Sequence, residues 1–267
     1  MNSRSVAGFR QRFVGCETLF GTFLKTPTTH ASEILGSVGF DFVVIDEEHA
    51  PFNRETTDRI LLACRASGIA GIVRVQGPEA PFILSVLDCG ATGVLVPHVD
   101  SVAKAKAVVS ACRYATGSRG FSNTTRAGQF GKATLAEHVA EQDQAVTVIA
   151  MIEDPWAVDE VEQILSVDGI DGAFIGRGDL TVAYRQAGQG ASLVTEATAK
   201  IIGAARKVGK PVCILASSQE DAMELSQKGA SAFILSSDQG LMRQAAIQTL
   251  AGYGQSLASK TTVPANS

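Results

Sequence analysis

The chain has 267 residues, 45% of them apolar and 19% charged, which supplies a large core and excludes a disordered or collagen-like chain. Twenty-three Lys and Arg against 27 Asp and Glu leave a formal net charge of −4. Both signs are scattered, so no basic stripe marks a nucleic-acid site and no polybasic amphipathic segment marks a membrane surface.

In chain order, Met1–Gly21 carries Arg10, Gln11 and Arg12 where a signal peptide has its apolar stretch, so none is expected. No apolar run approaches the ~18 residues of a membrane span, and a cytoplasmic protein is expected. Short apolar runs then recur at Thr18–Leu24, Phe40–Ile45, Gly71–Val75, Gly93–Val99, Val146–Ile152, Gly172–Ile175, Val212–Ala216 and Ala232–Leu235. They are continuous rather than alternating, as strands of a parallel sheet covered on both faces are. Helical spacing lies between them. Val102, Ala105, Val109 and Cys112 share one face, Val158, Val161 and Leu165 another, and Ala197, Ile201, Ala205 and Val208 a third.

A faint repeat, a helix-ending Gly followed by a strand, recurs at Gly39, Gly90, Gly169 and Gly229. Eight strand–helix units predict a (β/α)8 TIM barrel. A doubly wound open sheet is the alternative, but Phe23-Leu24-Lys25-Thr26-Pro27 follows the first strand where that fold carries a glycine-rich phosphate turn. The polar segment Arg119–Gly131 reads as a loop over the barrel mouth. The barrel is expected to span residues 1–253, with a disordered tail over 254–267. The five cysteines, Cys16, Cys64, Cys89, Cys112 and Cys213, are odd in number and widely spaced, and are expected to be reduced core residues.

Active sites of such barrels lie at the C-terminal ends of the strands. Those ends carry Lys25, Asp46-Glu47-Glu48-His49, Arg74, His98 and Asp100, Glu153-Asp154, Arg177-Gly178-Asp179, Ser217-Ser218 and Ser236-Ser237-Asp238. Glu153 and Asp179, at neighbouring strand ends, suit a hard divalent ion, though each position also suits a helix cap. His49 after three acids suits a general base or a surface loop. Arg74, a charge in an apolar strand, either binds an anion in the pocket or pairs with a buried carboxylate.

These residues carry a resemblance. Asp46-Glu47-Glu48-His49-Ala50-Pro51 resembles the D-x-E-H-A-P element of the HpcH/HpaI aldolase family, metal-dependent class II 2-keto-acid aldolases related to the citrate lyase β subunit. Val73-Arg74, Leu87-Asp88-Cys89-Gly90-Ala91, Leu95-Val96-Pro97, Arg113-Tyr114 with Gly117-Ser118-Arg119-Gly120, Ile152-Glu153 and Phe174–Leu180 follow in the family's order. The resemblance implies a barrel of the phosphoenolpyruvate/pyruvate type, assembled as a homo-hexamer (a dimer of trimers). It implies cleavage of a 4-hydroxy-2-keto acid to pyruvate and an aldehyde. Glu153 and Asp179 would hold Mg²⁺ or Mn²⁺, or Co²⁺. His49 paired with Asp46 would be the base, Arg74 would stabilise the enolate oxygen, and Asp88 would reach a neighbouring subunit's site. Amides around Gly176 and Gly178 would hold the substrate carboxylate. Three positions depart from the family pattern: Arg177, which suits either a diacid or acidic-sugar substrate or a rim salt bridge, replaces a Pro beside that carboxylate site, Met151 replaces a Gln near the substrate, and Thr116 replaces a Pro.

Competing readings are a Schiff-base aldolase using Lys25, a lyase acting on a CoA thioester, and a non-catalytic keto-acid-binding homologue. No cluster of basic residues for CoA phosphates is evident.

Overall fold

Strands that are apolar on both faces need an inner filling and an outer cover, and the chain supplies both. The computed structural model describes residues 8–186, 190 and 192–258. In it β1 (Leu19–Leu24), β2 (Phe42–Asp46), β3 (Ala70–Arg74), β4 (Gly93–Val96), β5 (Thr147–Ile152), β6 (Gly172–Ile175), β7 (Val212–Leu215) and β8 (Ala232–Ser237) pair in sequence order, all parallel, and close on themselves. This is the expected (β/α)8 barrel. Around it lie α1 (Phe9–Val14), α2 (Thr29–Val38), α3 (Arg54–Ser67), α4 (Ala80–Asp88), α5 (Val102–Cys112) and α6 (Leu135–Ala145). They are followed by α7 (Pro155–Asp159), α8 (Val161–Leu165), α9 (Arg177–Gln186), α10 (Ser192–Lys207), α11 (Gln219–Lys228) and α12 (Asp238–Ala258). The repeat glycines have the physical basis the repeat required: Gly39, Gly90, Gly169 and Gly229 all have φ between 87° and 119°, a region costly for other residues.

Alternation along each strand sorts the residues into two cores. Val44, Ile72, Leu95, Ile149, Met151 and Phe174 fill the barrel interior, while Val43, Ile45, Val148, Ala150 and Ile152 face the helices. The same parity aims Asp46, Arg74 and Glu153 inward at the strand ends. The opposite end is plugged by α1. Phe9 and Phe13 are buried against the floor, and Arg10 and Arg12 pin the helix to Asp171 and Asp41, at 2.8 and 2.9 Å. The arginines that argued against a signal peptide are thus floor anchors.

Several expectations are corrected. Arg119–Gly131 does not cover the mouth of its own barrel. The Ala127 N–H donates to the Asp88 carbonyl at the end of α4 and Arg126 pairs with Asp58 in the second turn of α3, so the segment packs against the outside of the helix layer, toward the floor side, rather than over the mouth. The reason is topological: it connects the end of α5 to α6 and the start of β5, which lie on that side. Val158, Val161 and Leu165 are all buried, but the helix breaks at Glu160 into α7 and α8. Cys16 is exposed, whereas Cys64, Cys89, Cys112 and Cys213 are buried, and all are free thiols. α12 runs past Gly254 to Ala258, and the rest of the expected tail, 259–267, lies outside the described residues.

That last helix leaves the barrel wall bare. Met242, Ile247, Leu250, Tyr253 and Leu257 of α12 are exposed, as are Phe20 and Leu235 on the outer faces of β1 and β8. Among the described residues no helix is long and apolar enough to cross a membrane.

Candidate active site

The β2–β3 register places Asp46 directly beside Arg74. No solvent reaches Asp46, and Arg74 is 7% exposed. Arg74 donates from Nε to Asp46 Oδ1 (2.9 Å) and from Nη2 to Oδ2 (2.8 Å), a fork on a carboxylate. Lys25 Nζ adds a third contact at 3.0 Å. Of the two readings of Arg74, pairing with a buried carboxylate is therefore realised. Its Nη1 arm points to Glu48 Oε2 at 3.3 Å, and its guanidinium stacks 4.9 Å over Phe23. Burial pushes the Asp46 carboxyl up, but Arg74, Lys25 and the His49 N–H outweigh it and hold the acid below its ordinary range.

The expected dyad is corrected in detail. Asp46 Oδ1 accepts the His49 backbone N–H at 3.1 Å rather than a ring N–H, because the fork of Arg74 already occupies the carboxylate. The carboxylate nearest the imidazole is Glu48, 3.6 Å from Nε2, and the ring is 55% exposed. Glu47 turns away to accept the Thr57 hydroxyl at the start of α3.

Across the rim, Glu153 follows β5 and Gly176 follows β6, joined by the Gly176 N–H to the Ile152 carbonyl at 3.0 Å. A Cβ on Gly176 would lie 2.6 Å from Glu153 Cβ and 2.9 Å from Met151 Cε, so only glycine lets the chain pass this carboxylate. Glu153 is 3% exposed, and burial pushes its carboxyl up to about 7 against the pull of the His98 N–H and ring; Asp179 and Glu48 add to the rise. Glu153 Oε1 accepts the His98 N–H at 2.8 Å, while Oε2 lies on the Gly176 side. Asp179 is exposed in the first turn of α9, whose leading N–H groups have no partner within the helix. Met151 is buried beneath this point as apolar floor.

Hard-oxygen donors fit a divalent ion here. Among the described residues no group of three or more ligating side chains converges, and Mg²⁺-type sites take one or two carboxylates with water and substrate oxygens completing the shell. The missing Cβ at Gly176 keeps the space beside Glu153 Oε2 open.

Two other expected residues pair with protein groups in this chain. Arg177 donates to both oxygens of Asp221 (3.2 and 2.6 Å) and to the Leu215 carbonyl, so it is a rim salt bridge. Asp88 ends α4, outside the strand barrel, 3.8 Å from Arg119 and 4.0 Å from Arg54, the first residue of α3.

His98 was not singled out by pattern. It sits in the left-handed region (φ 52°), and its Nδ1 lies 3.1 Å from Asp154 and 3.4 Å from Glu153. Burial lowers the imidazole, but Asp154, Glu153 and Glu48 outweigh it and raise it above its ordinary value. Asp154 caps α7 without a side-chain capping bond because its carboxylate is turned to His98. The signal was present in the sequence, as a histidine at the end of a barrel strand.

A closed parallel barrel with acids, arginine and histidine gathered on its C-terminal rim defines an α/β-barrel enzyme site. The chain belongs to the HpcH/HpaI aldolase/citrate lyase family, which matches residues 19–245. It is 35% identical over 238 residues to 5-keto-4-deoxy-D-glucarate aldolase of Escherichia coli, covering 88% of this chain and 90% of that one. The structure of an HpcH/HpaI aldolase/citrate lyase family protein from Burkholderia cenocepacia superposes with a TM-score of 0.86 at 28% identity, over 92% of this chain and 99% of that one. That of citrate synthase SbnG superposes with a TM-score of 0.82 at 30% identity, over 92% and 97%. The aldolase likeness supports a lyase of the class II aldolase kind.

Proposed function

We propose that this chain cleaves a 4-hydroxy-2-keto acid reversibly to pyruvate, or a similar 2-keto acid, and an aldehyde. The observation that carries the reading is the buried Glu153 with Asp179 on the same rim as the Arg74–Asp46 pair and His49, in a chain whose relatives are keto-deoxy-sugar-acid aldolases.

Glu153 and Asp179 would hold Mg²⁺ or Mn²⁺, or Co²⁺, and such an ion supplies Lewis acidity when bound. The backbone amides at Gly176 and Gly178, at the start of α9, suit the substrate carboxylate. Arg74, fixed by Asp46, brings positive charge to the oxygen on which the enolate charge develops. His49, on an exposed ring, takes the proton of the 4-hydroxyl directly or through water. The C3–C4 bond then breaks, the aldehyde leaves, and the same proton returns to C3 of the enolate to give the keto acid's methyl group. Met151 offers no hydrogen bond and restricts that side of the pocket to apolar contact. Lys25 donates to Asp46, which occupies the amine that a Schiff-base mechanism needs free.

A hexamer with shared sites is part of this proposal. Asp88 lies at the end of α4, outside the strand barrel, and the exposed apolar residues of α12 with Phe20 and Leu235 form a surface that a second copy would cover.

The test is aldehyde and pyruvate release from a panel of 4-hydroxy-2-keto acids, including 5-keto-4-deoxy-D-glucarate, with and without chelator. Chelator-sensitive release of pyruvate is expected. Chelator-insensitive turnover with borohydride trapping of pyruvate on Lys25 refutes it. The likeness to citrate synthase SbnG favours a second reading, condensation of a CoA thioester with a keto acid, which citrate formation from oxaloacetate and acetyl-CoA would reveal.

A further inference from the structure

The floor side of the barrel holds a buried cation that the proposed chemistry does not use. The Arg119 side chain is wholly buried, yet none of its three guanidinium nitrogens makes a well-directed hydrogen bond among the described residues. Such a group costs several kcal/mol unless its charge is used. Its place is rigid. The guanidinium stacks 4.4 Å over Tyr114, and Tyr114, Phe121 and His138 hold one another at ring separations of 5.3 to 5.8 Å, with the His138 Nε2 and the Tyr114 hydroxyl 3.1 Å apart. Facing this cage is Asp88. Its Oδ1 is buried and also lacks a hydrogen bond, 3.8 Å from Arg119. Its other oxygen faces Arg54 and borders an open cavity of about 490 Å³ lined by Arg54, Asp58, Cys89 and Arg126. A carboxylate at the last residue of a helix opposes the helix dipole and needs a compensating cation.

We infer that Arg119 is the positioning residue for Asp88: caged by Tyr114, Phe121 and His138, it keeps that carboxylate fixed and aimed into the open cavity, ready for the active site of a neighbouring subunit. This rests on the shared-site reading given above. Arg119 touches no substrate and acts through Asp88 alone, so its loss damages the neighbour's site and leaves its own rim intact.

Subunit exchange between full-length variants tests it. Arg119→Met is expected to lower kcat on the order of 10²-fold, the scale of a misplaced group, with KM for the keto acid little changed, and Arg119→Lys to recover part. Mixed one to one with Arg74→Ala, Arg119→Met should regain up to about one quarter of wild-type activity, because a quarter of random pairings join an intact Arg74 to an intact Asp88–Arg119 pair. Mixed with Asp88→Asn it should regain none, since both lesions fall on the same donor. Full activity of Arg119→Met alone, or recovery with Asp88→Asn, overturns the assignment. So does failure with Arg74→Ala where Asp88→Asn itself recovers. If Asp88→Asn and Arg74→Ala show no recovery despite verified exchange, the shared-site reading falls, and this one with it. If Arg119→Met does not fold, Arg119→Lys carries the same comparison.

Discussion

Replacing Asp46 by Asn is the most informative perturbation of the rim, because it removes one charge without changing the shape. Asp46 is inaccessible to solvent and Arg74 is 7% exposed, so the variant leaves a buried guanidinium with Glu48, at 3.3 Å, as its remaining acidic partner. Breaking a buried pair from one side costs about 3–5 kcal/mol, and the Glu48 contact argues for the lower end, about 3 kcal/mol. For a chain of this size that is a fall in Tm of about 6–12 °C. Arg74→Met should cost a similar ~3 kcal/mol by leaving Asp46 with only Lys25, which is 30% exposed and so screened by water. The double variant removes both charges. It should lose only about 2–3 kcal/mol rather than the ~6 of a simple sum. Urea unfolding of the three variants, at fixed protein concentration and in chelator, measures this coupling directly. All three should be inactive, so restored stability without restored activity separates the structural from the chemical role. Additive losses in the double variant would refute the reasoning, since they would mean that the two charges do not depend on each other.

Other outcomes follow from the same geometry. Glu153→Gln and Asp179→Asn should each abolish chelator-sensitive activity and weaken Mn²⁺ binding by calorimetry while unfolding like the parent chain; unchanged Mn²⁺ binding in both would remove the metal assignment. His49→Ala should slow aldol cleavage by about 10²–10⁴-fold but oxaloacetate decarboxylation less, because that route to the enolate removes no hydroxyl proton; equal losses would make His49 a binding or structural residue. Arg177 is the first cause holding the Asp221 carboxyl at about 2, so the pair stabilises the folded chain above the ordinary carboxylate range and loses that contribution as pH falls from about 4 to 2. Asp221→Asn should therefore cost at most about 2 kcal/mol at pH 7 and almost nothing near pH 2, with little change in KM; a large rise in KM for Arg177→Ala would return Arg177 to the substrate site.

The sequence by itself determined the architecture. Eight continuous apolar runs, helix-ending glycines and the order of polar residues at the run ends depend on local rules, namely strand parity, left-handed glycine and helical spacing, that hold before any contact forms. The same rules placed Asp46, Arg74, Glu153 and Asp179 on one rim. Partner choice was decided only by the tertiary structure, because it depends on distances between residues far apart in the chain. Arg74 could have faced an anion or a carboxylate until β2 and β3 came into register. Asp46 could orient an imidazole only if no arginine claimed it first. Arg177 could have met substrate or a rim carboxylate until β7 and α11 brought Leu215 and Asp221 to it, and Arg119–Gly131 looked like a loop over the mouth until its contacts with Asp88 and Asp58 fixed it on α4 and α3. The left-handed backbone of His98, which turns its N–H to Glu153, and the burial of Arg119 beside Asp88 have no local signature. Each arises from packing that only the closed barrel imposes.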